Sequence, residues 1–182
     1  PTYYNPANPT FGLDRSPLMS LVKSRDIFHC PSDTMTVSGH LRIRSMSMSA
    51  VFGTGNNLGP AGTWALYGKQ AQIRKPTDTW VFGEEHVNSI NDASMVVRMI
   101  DDDATSGSWV DVPSSWHNRG CTFAYADGHA GVLKWRGSKE ILPFDPAAVS
   151  TSTYHNVQVD SGSDAAALSD LKNLCRVTTV KQ

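Results

Sequence analysis

Charge is scarce in this chain. Asp, Glu, Lys and Arg make up 18% of its 182 residues, and 16 basic residues nearly cancel 17 acidic ones for a net charge of −1. No window carries a run of Lys or Arg, so the phosphate-neutralising surface that nucleic acid or an anionic membrane requires is missing. No uninterrupted apolar stretch exceeds four residues, which excludes a bilayer-spanning helix or a signal-peptide core within these residues. An export or anchoring segment, if the protein uses one, would lie outside them. Cysteine is sparse as well. Cys30, Cys121 and Cys175 stand far apart with no CxxC pair, which argues against a zinc ribbon or a dithiol redox site and leaves room for one disulfide with a thiol over. There is no GxSxG elbow, no HExxH, no P-loop and no DxDxDG-type calcium loop, so the common signatures of nucleophilic, metalloprotease, phosphate and EF-hand chemistry are all wanting.

What the chain has is Gly, Pro, Ser and Thr, a balance that favours strands and ordered loops over charged amphipathic helices. Its length suits one domain, residues 1–182, able to bury roughly 70% of the surface its unfolded form exposes. Residues 1–10, with three prolines and two asparagines, read as an extended lead-in. Ser16 as N-cap, Pro17 at the first helical position and Leu18, Met19, Leu21 and Val22 on one face predict a short helix ending near Arg25. Residues 27–33 form a turn, because Cys30 precedes Pro31 and Ser32 and Asp33 suit side-chain-to-backbone bonds. RIRSMSMSAVF alternates like a strand, and GTGNNLGPAGTW is a long loop. Residues 79–86 and 95–100 read as strands. In CTFAYADGHAGVLKW, Asp127-Gly128 predicts a two-residue type I′ hairpin with Ala126 facing His129, Tyr125 facing Ala130 and Phe123 facing Val132. That register puts Phe123, Tyr125 and Val132 on the core face. A short strand at 154–159 follows, then a helix with Asp164 as N-cap and Ala167, Leu168, Leu171, Leu174 and Cys175 on its apolar side.

Several residues are candidates for chemistry. Glu84, Glu85 and His86 end one strand and Asp101, Asp102 and Asp103 end another; Glu84, Glu85, Asp101 and Asp103 offer oxygen ligands to Ca2+. Solvated charges are the plainer account. His117 and Asp127 flank a strand and would sit on the order of 20 Å apart at about 3.3 Å per residue. They cannot share a metal unless the chain from Trp116 to Gly120 folds back, and Asp127 is otherwise a turn residue. Trp64, Trp80, Trp109, Trp116 and Trp135 would stack on sugar rings if exposed, but core packing is the commoner use of tryptophan.

Three segments together resemble one family. FHCPSD at 28–33 carries Cys30, Pro31, Ser32 and Asp33. KPTDTWVFGEE at 75–85 resembles a Lys-Pro-Ser, strand and acidic segment. WHNRGCTFAYADGHAGVLKW at 116–135 matches a His, nine residues, Asp-Gly-His signature through His117, Asp127, Gly128 and His129. These segments resemble the H-x9-DG prepilin-type proteins of planctomycete and verrucomicrobial bacteria, relatives of type II secretion pseudopilins and type IV pilins. DLKNLCRVTT is similar to that family's closing Asp-Leu-x-x-Leu segment.

The resemblance implies an α+β pilin-like head, with a short N-terminal helix remnant, an antiparallel sheet holding 79–86, 95–100, 121–126 and 129–135, long loops and a C-terminal helix. It also implies an apolar N-terminal helix behind a methylated leader, which this sequence does not contain, and a disulfide between Cys121 and Cys175 with Cys30 the orphan. The implied role is structural: a filament or pseudopilus subunit at the cell envelope, periplasmic or extracellular, whose partners are other pilin subunits and the assembly machinery, with no catalysis and no cofactor beyond Ca2+. The rival readings are a surface or tip module binding a glycan through loops 53–63 and 145–163, and, further off, a metal-dependent hydrolase using His117, Asp127 and His129.

Overall fold

The computed structural model describes residues 13, 16–37, 39–53, 55–139 and 155–182. Among them the chain runs through β1 (Thr36–Val37), β2 (His40–Leu41), β3 (Met46–Ser49), β4 (Trp80–Glu84), β5 (Ser94–Met95), β6 (Ser106–Asp111), β7 (Gly120–Tyr125), β8 (Ala130–Lys134), β9 (His155–Asp160) and α1 (Ala165–Arg176). A five-stranded sheet has the order β5-β3-β4-β7-β8. Its pairings are antiparallel except for β3 with β5. β6 and β9 form a separate antiparallel pair, and β1 and β2 a third. This is a mixed α and β architecture with a mostly antiparallel sheet and a C-terminal helix.

The helix forms as its sequence dictates. The Asp164 side chain accepts the backbone N–H of Ala167 at 2.9 Å and of Ser138 at 2.8 Å, and these bonds lower its carboxyl to about 2. Ala167, Leu168, Leu171, Leu174 and Cys175 are all buried, as the periodicity predicts. Full burial of Leu171 and Leu174 stabilises the helix by about 1.5–3 kcal/mol each. Asp170 is buried on the same helix and accepts the N–H groups of Arg136 and Gly137 at 2.6 and 2.8 Å. That contact brings the strand exit so close that a Cβ on Gly137 would lie 2.4 Å from the Cα of Ala167.

Aromatic rings fill the space between the sheet, the β6–β9 pair and the helix. Trp80 meets Phe123 edge-on at 5.3 Å, Phe123 meets Trp135 at 6.5 Å, and Trp135 meets Trp109 at 5.8 Å. The indole N–H groups are satisfied, Trp80 by Thr178 Oγ1 and Trp135 by the Ser114 carbonyl, both at 2.8 Å. Three of the five tryptophans are therefore core residues, while Trp64 and Trp116 are only part-buried.

Three expectations about the fold need correction. The N-terminal helix is instead two short 3-10 turns, Pro17–Ser20 and Arg25–Phe28. Ser16 caps the first as predicted, but Leu21 is 78% exposed among the described residues, and Ser24 starts a new turn by accepting the Asp26 N–H. Residues 95–100 are not a strand of the sheet beyond Met95. Met95, Val97 and Met99 do alternate inward, yet the Val96 N–H bonds the Asp111 carboxylate and the Met99 N–H bonds the Leu58 carbonyl. β6 was not foreseen, since a strand beginning Ser-Gly-Ser carries no alternating apolar signal.

The third correction is the hairpin register. The Gly128 N–H bonds the Tyr125 carbonyl and the Tyr125 N–H bonds the His129 carbonyl. This is a three-residue loop, a type I turn over Ala126 and Asp127 closed by Gly128 at φ +97°. The pairing slips by one residue, so Phe123 faces Gly131 and Thr122 faces Val132. Val132 consequently turns to solvent, 49% exposed. The glycine requirement survives the slip. Gly128→Val should cost about 1–2 kcal/mol, because a β-branched side chain is strained at positive φ. Its added Cβ meets no atom within 4 Å, so urea denaturation would read backbone strain alone; an unchanged midpoint would contradict the turn assignment.

Candidate functional site

Glu84 closes β4 and Glu85 follows it in a bridge to Pro113, and alternation sends the two acids to opposite sides. Glu85 is fully buried and accepts Ser47 Oγ at 2.6 Å and Ser89 Oγ at 3.1 Å. Burial, and then the charge of Asp111, hold its carboxyl well above the ordinary range. The Ser47 bond accounts for one half of an inversion in β3: Ser47 points inward to Glu85, and Ser49 points inward without a side-chain partner among the described residues, while Met46 and Met48 are part-buried on the other face.

Glu84 reaches the other side and gathers three segments. Its Oε2 accepts the Thr122 N–H at 2.9 Å and lies 3.3 Å from Ser114 Oγ; its Oε1 lies 3.0 Å from His117 Nε2. Cys30 Sγ is 3.5 Å from the same imidazole nitrogen. Burial raises the Glu84 carboxyl, but hydrogen bonds from Cys30, His117 and Thr122 outweigh it, and the net shift is downward. Burial, followed by the Glu84 carboxylate, pushes the Cys30 thiol up.

Each partner is placed by local backbone chemistry. Cys30 opens a turn closed by the Asp33 N–H on its carbonyl at 2.9 Å, and its own N–H bonds Ser45 Oγ at 2.7 Å. Asp33 is buried against Arg42, whose Nε donates to Oδ2 at 2.9 Å, and Arg42 lies over the Trp116 ring. His117 is carried inward by a reversal of the chain at Asn118 and Arg119, with φ values of 51° and 60° and the His117 N–H bonded to the Gly120 carbonyl. Asparagine tolerates that conformation; arginine pays about 1 kcal/mol or more. Compensation comes from the Arg119 guanidinium, which donates to the carbonyls of Trp135, Arg136 and Gly137.

The sequence-predicted residues divide accordingly. Cys30, Glu84 and His117 come together, and Pro31, Ser32 and Asp33 build the turn that presents Cys30. His117 and Asp127 do not meet. Asp127 sits at the exposed hairpin tip, where its Oδ1 accepts the His129 backbone N–H and lies 2.7 Å from His129 Nδ1. Those bonds lower its carboxyl, and the His129 ring stacks on Tyr125 at 4.2 Å. The four acids proposed for Ca2+ are not gathered. Glu84 and Glu85 face apart, Asp101 pairs with Lys181 at 2.6 Å, Asp102 with Arg176 at 2.9 Å, and Asp103 is exposed. The one group of potential metal ligands among the described residues is Cys30, Glu84 and His117. No sequence argument paired His117 with Glu84 and Cys30; Asn118 directly after His117 was the available signal for a reversal. Of the loop expected at 145–163, residues 145–154 lie outside the described residues and His155–Asp160 form β9.

The expected disulfide is not formed. All three cysteines are free and buried. Cys121 Sγ contacts the Glu84 carbonyl at 3.1 Å, whereas Cys175 Sγ contacts the Arg98 carbonyl at 3.6 Å, so each thiol is engaged by a different wall of the core. No protein-family model, curated protein or solved structure matches this chain. Thiol titration of denatured protein purified without reductant should find three reactive groups per chain; one group would restore the disulfide.

Proposed function

We propose that this chain is the globular head of a pilin-like subunit, acting structurally in a filament or secretion pseudopilus at the cell envelope. The observation that supports this reading is convergence. The Cys-Pro-Ser-Asp turn, the acidic end of β4 and His117 are separated by tens of residues, yet they meet at Glu84. Asp170, in the closing segment, joins the helix to the end of β8. Segments that together resemble a prepilin-type signature are thus used together, as ties of the fold. The hairpin tip, with its Asp127–His129 contact, is a separate exposed feature.

A second feature is compatible with assembly. Leu13, Pro17, Leu18, Phe28, Met48 and Phe82 line a largely apolar groove of about 540 Å³ beside β3 and β4. Such a surface is of the kind against which a packing helix is laid. No reaction belongs to this reading.

The gene and the cell surface provide the test. The open reading frame should place a prepilin leader and an apolar helix ahead of the present residues, and antibodies to the head should detect it in filaments sheared from cells. A plain cleavable signal peptide with the protein free in the medium would contradict the filament and favour a soluble binding protein.

A further inference from the structure

We propose that Cys30, Glu84 and His117 form a binding site for a divalent transition cation of borderline softness, zinc first. Their ligand atoms, one from each side chain, all lie within 4.8 Å of one another. The spacing fits a tetrahedral face. Zinc bonds of about 2.3 Å to sulfur and about 2.0 Å to nitrogen and oxygen imply edges of roughly 3.5 Å for S···N and roughly 3.3 Å for N···O. The observed Cys30 Sγ to His117 Nε2 and His117 Nε2 to Glu84 Oε1 separations are 3.5 and 3.0 Å. These two edges therefore need an opening of no more than a few tenths of an ångström, and the third, from Cys30 Sγ to the Glu84 carboxylate, lies within 4.8 Å.

The surrounding bonds orient the ligands for this use. Glu84 Oε2 is occupied by the Thr122 N–H and Ser114 Oγ, so Oε1 is the oxygen left to coordinate. The Cys30 backbone is fixed by Ser45 and by the turn to Asp33. A thiolate, a carboxylate and a neutral imidazole carry two negative charges between them, which a divalent ion neutralises within a mostly buried site. Binding transfers the Cys30 proton to solvent. Sulfur and imidazole select against calcium and magnesium, which take oxygen. Glu84 is 1% exposed and His117 28% exposed, so the fourth position opens on the His117 side. Three protein ligands and an open position leave room for solvent on the ion.

This inference stands on the geometry of the three side chains and does not depend on the filament reading. Its test is titration of the chelator-stripped chain with Co2+ as a spectroscopic probe and Zn2+ as competitor. One equivalent of cobalt should bind with a thiolate-to-metal charge-transfer band, be displaced by zinc and resist excess Ca2+, and zinc should raise the Tm. Cys30→Ser should abolish the band, and Cys30→Ser and His117→Gln should each weaken zinc binding by about 100-fold or more, given that outer partners alone are worth 10–100-fold. Cys175→Ser should leave both unchanged. A readout that needs no variant is alkylation of the native protein, in which zinc should shield Cys30. Absence of a thiolate band in the wild-type protein, a band that survives Cys30→Ser, or equal alkylation of Cys30 with and without zinc would each overturn the proposal.

Discussion

A buried carboxylate, Glu84, is the constraint around which this fold is arranged. Removing an ion from water costs several kcal/mol, repaid only by close hydrogen bonds in good geometry. Glu84 recovers that cost from partners in three separate parts of the chain: the β7 backbone at Thr122, the segment from Ser114 to His117, and the Cys30 turn. Because the donors are fixed in direction, the positions of those segments are fixed with them. The strained Arg119, the Arg42–Asp33 pair and the inward Ser47 are secondary adjustments around Glu84 and Glu85.

The aromatic core and the carboxylate act on different parts of the structure. Trp80, Phe123, Trp135 and Trp109 form a chain of buried rings within the apolar core that joins sheet, β6–β9 pair and helix. They do little to position the turns at 30–33 and 117–120, which have few apolar groups to bury. Those turns are held by polar contacts to the end of β4. The division explains why the protein can present ordered loops with so little charge overall.

Local signals in the sequence were legible where one element decides the outcome. The helix face of Leu168, Leu171 and Leu174, its Asp164 cap, the turn at Cys30 and the existence of the hairpin could all be read directly. Register was not, because Asp127-Gly128 suits both a two-residue loop and a type I turn with a closing glycine, and the choice rests on whether Tyr125 or Ala126 makes the last pair. The strand at 106–111 lacked a pattern because its small residues make room for the helix: a Cβ on Gly107 would lie 2.8 Å from Leu171. The Cys30, Glu84 and His117 cluster was hidden for a different reason. No residue of it has a partner nearby in sequence, and only the resemblance put the three segments side by side.

The role of Glu84 is most directly tested by a double-mutant cycle on stability, combining Glu84→Gln with His117→Ala in metal-free protein under urea. If the carboxylate holds the His117 segment, the two changes should couple by about 0.5–3 kcal/mol, since contacting residues of one hydrogen-bonded network are not additive. Additivity within about 0.3–0.5 kcal/mol would mean that the segments find their places without Glu84, and would contradict the account.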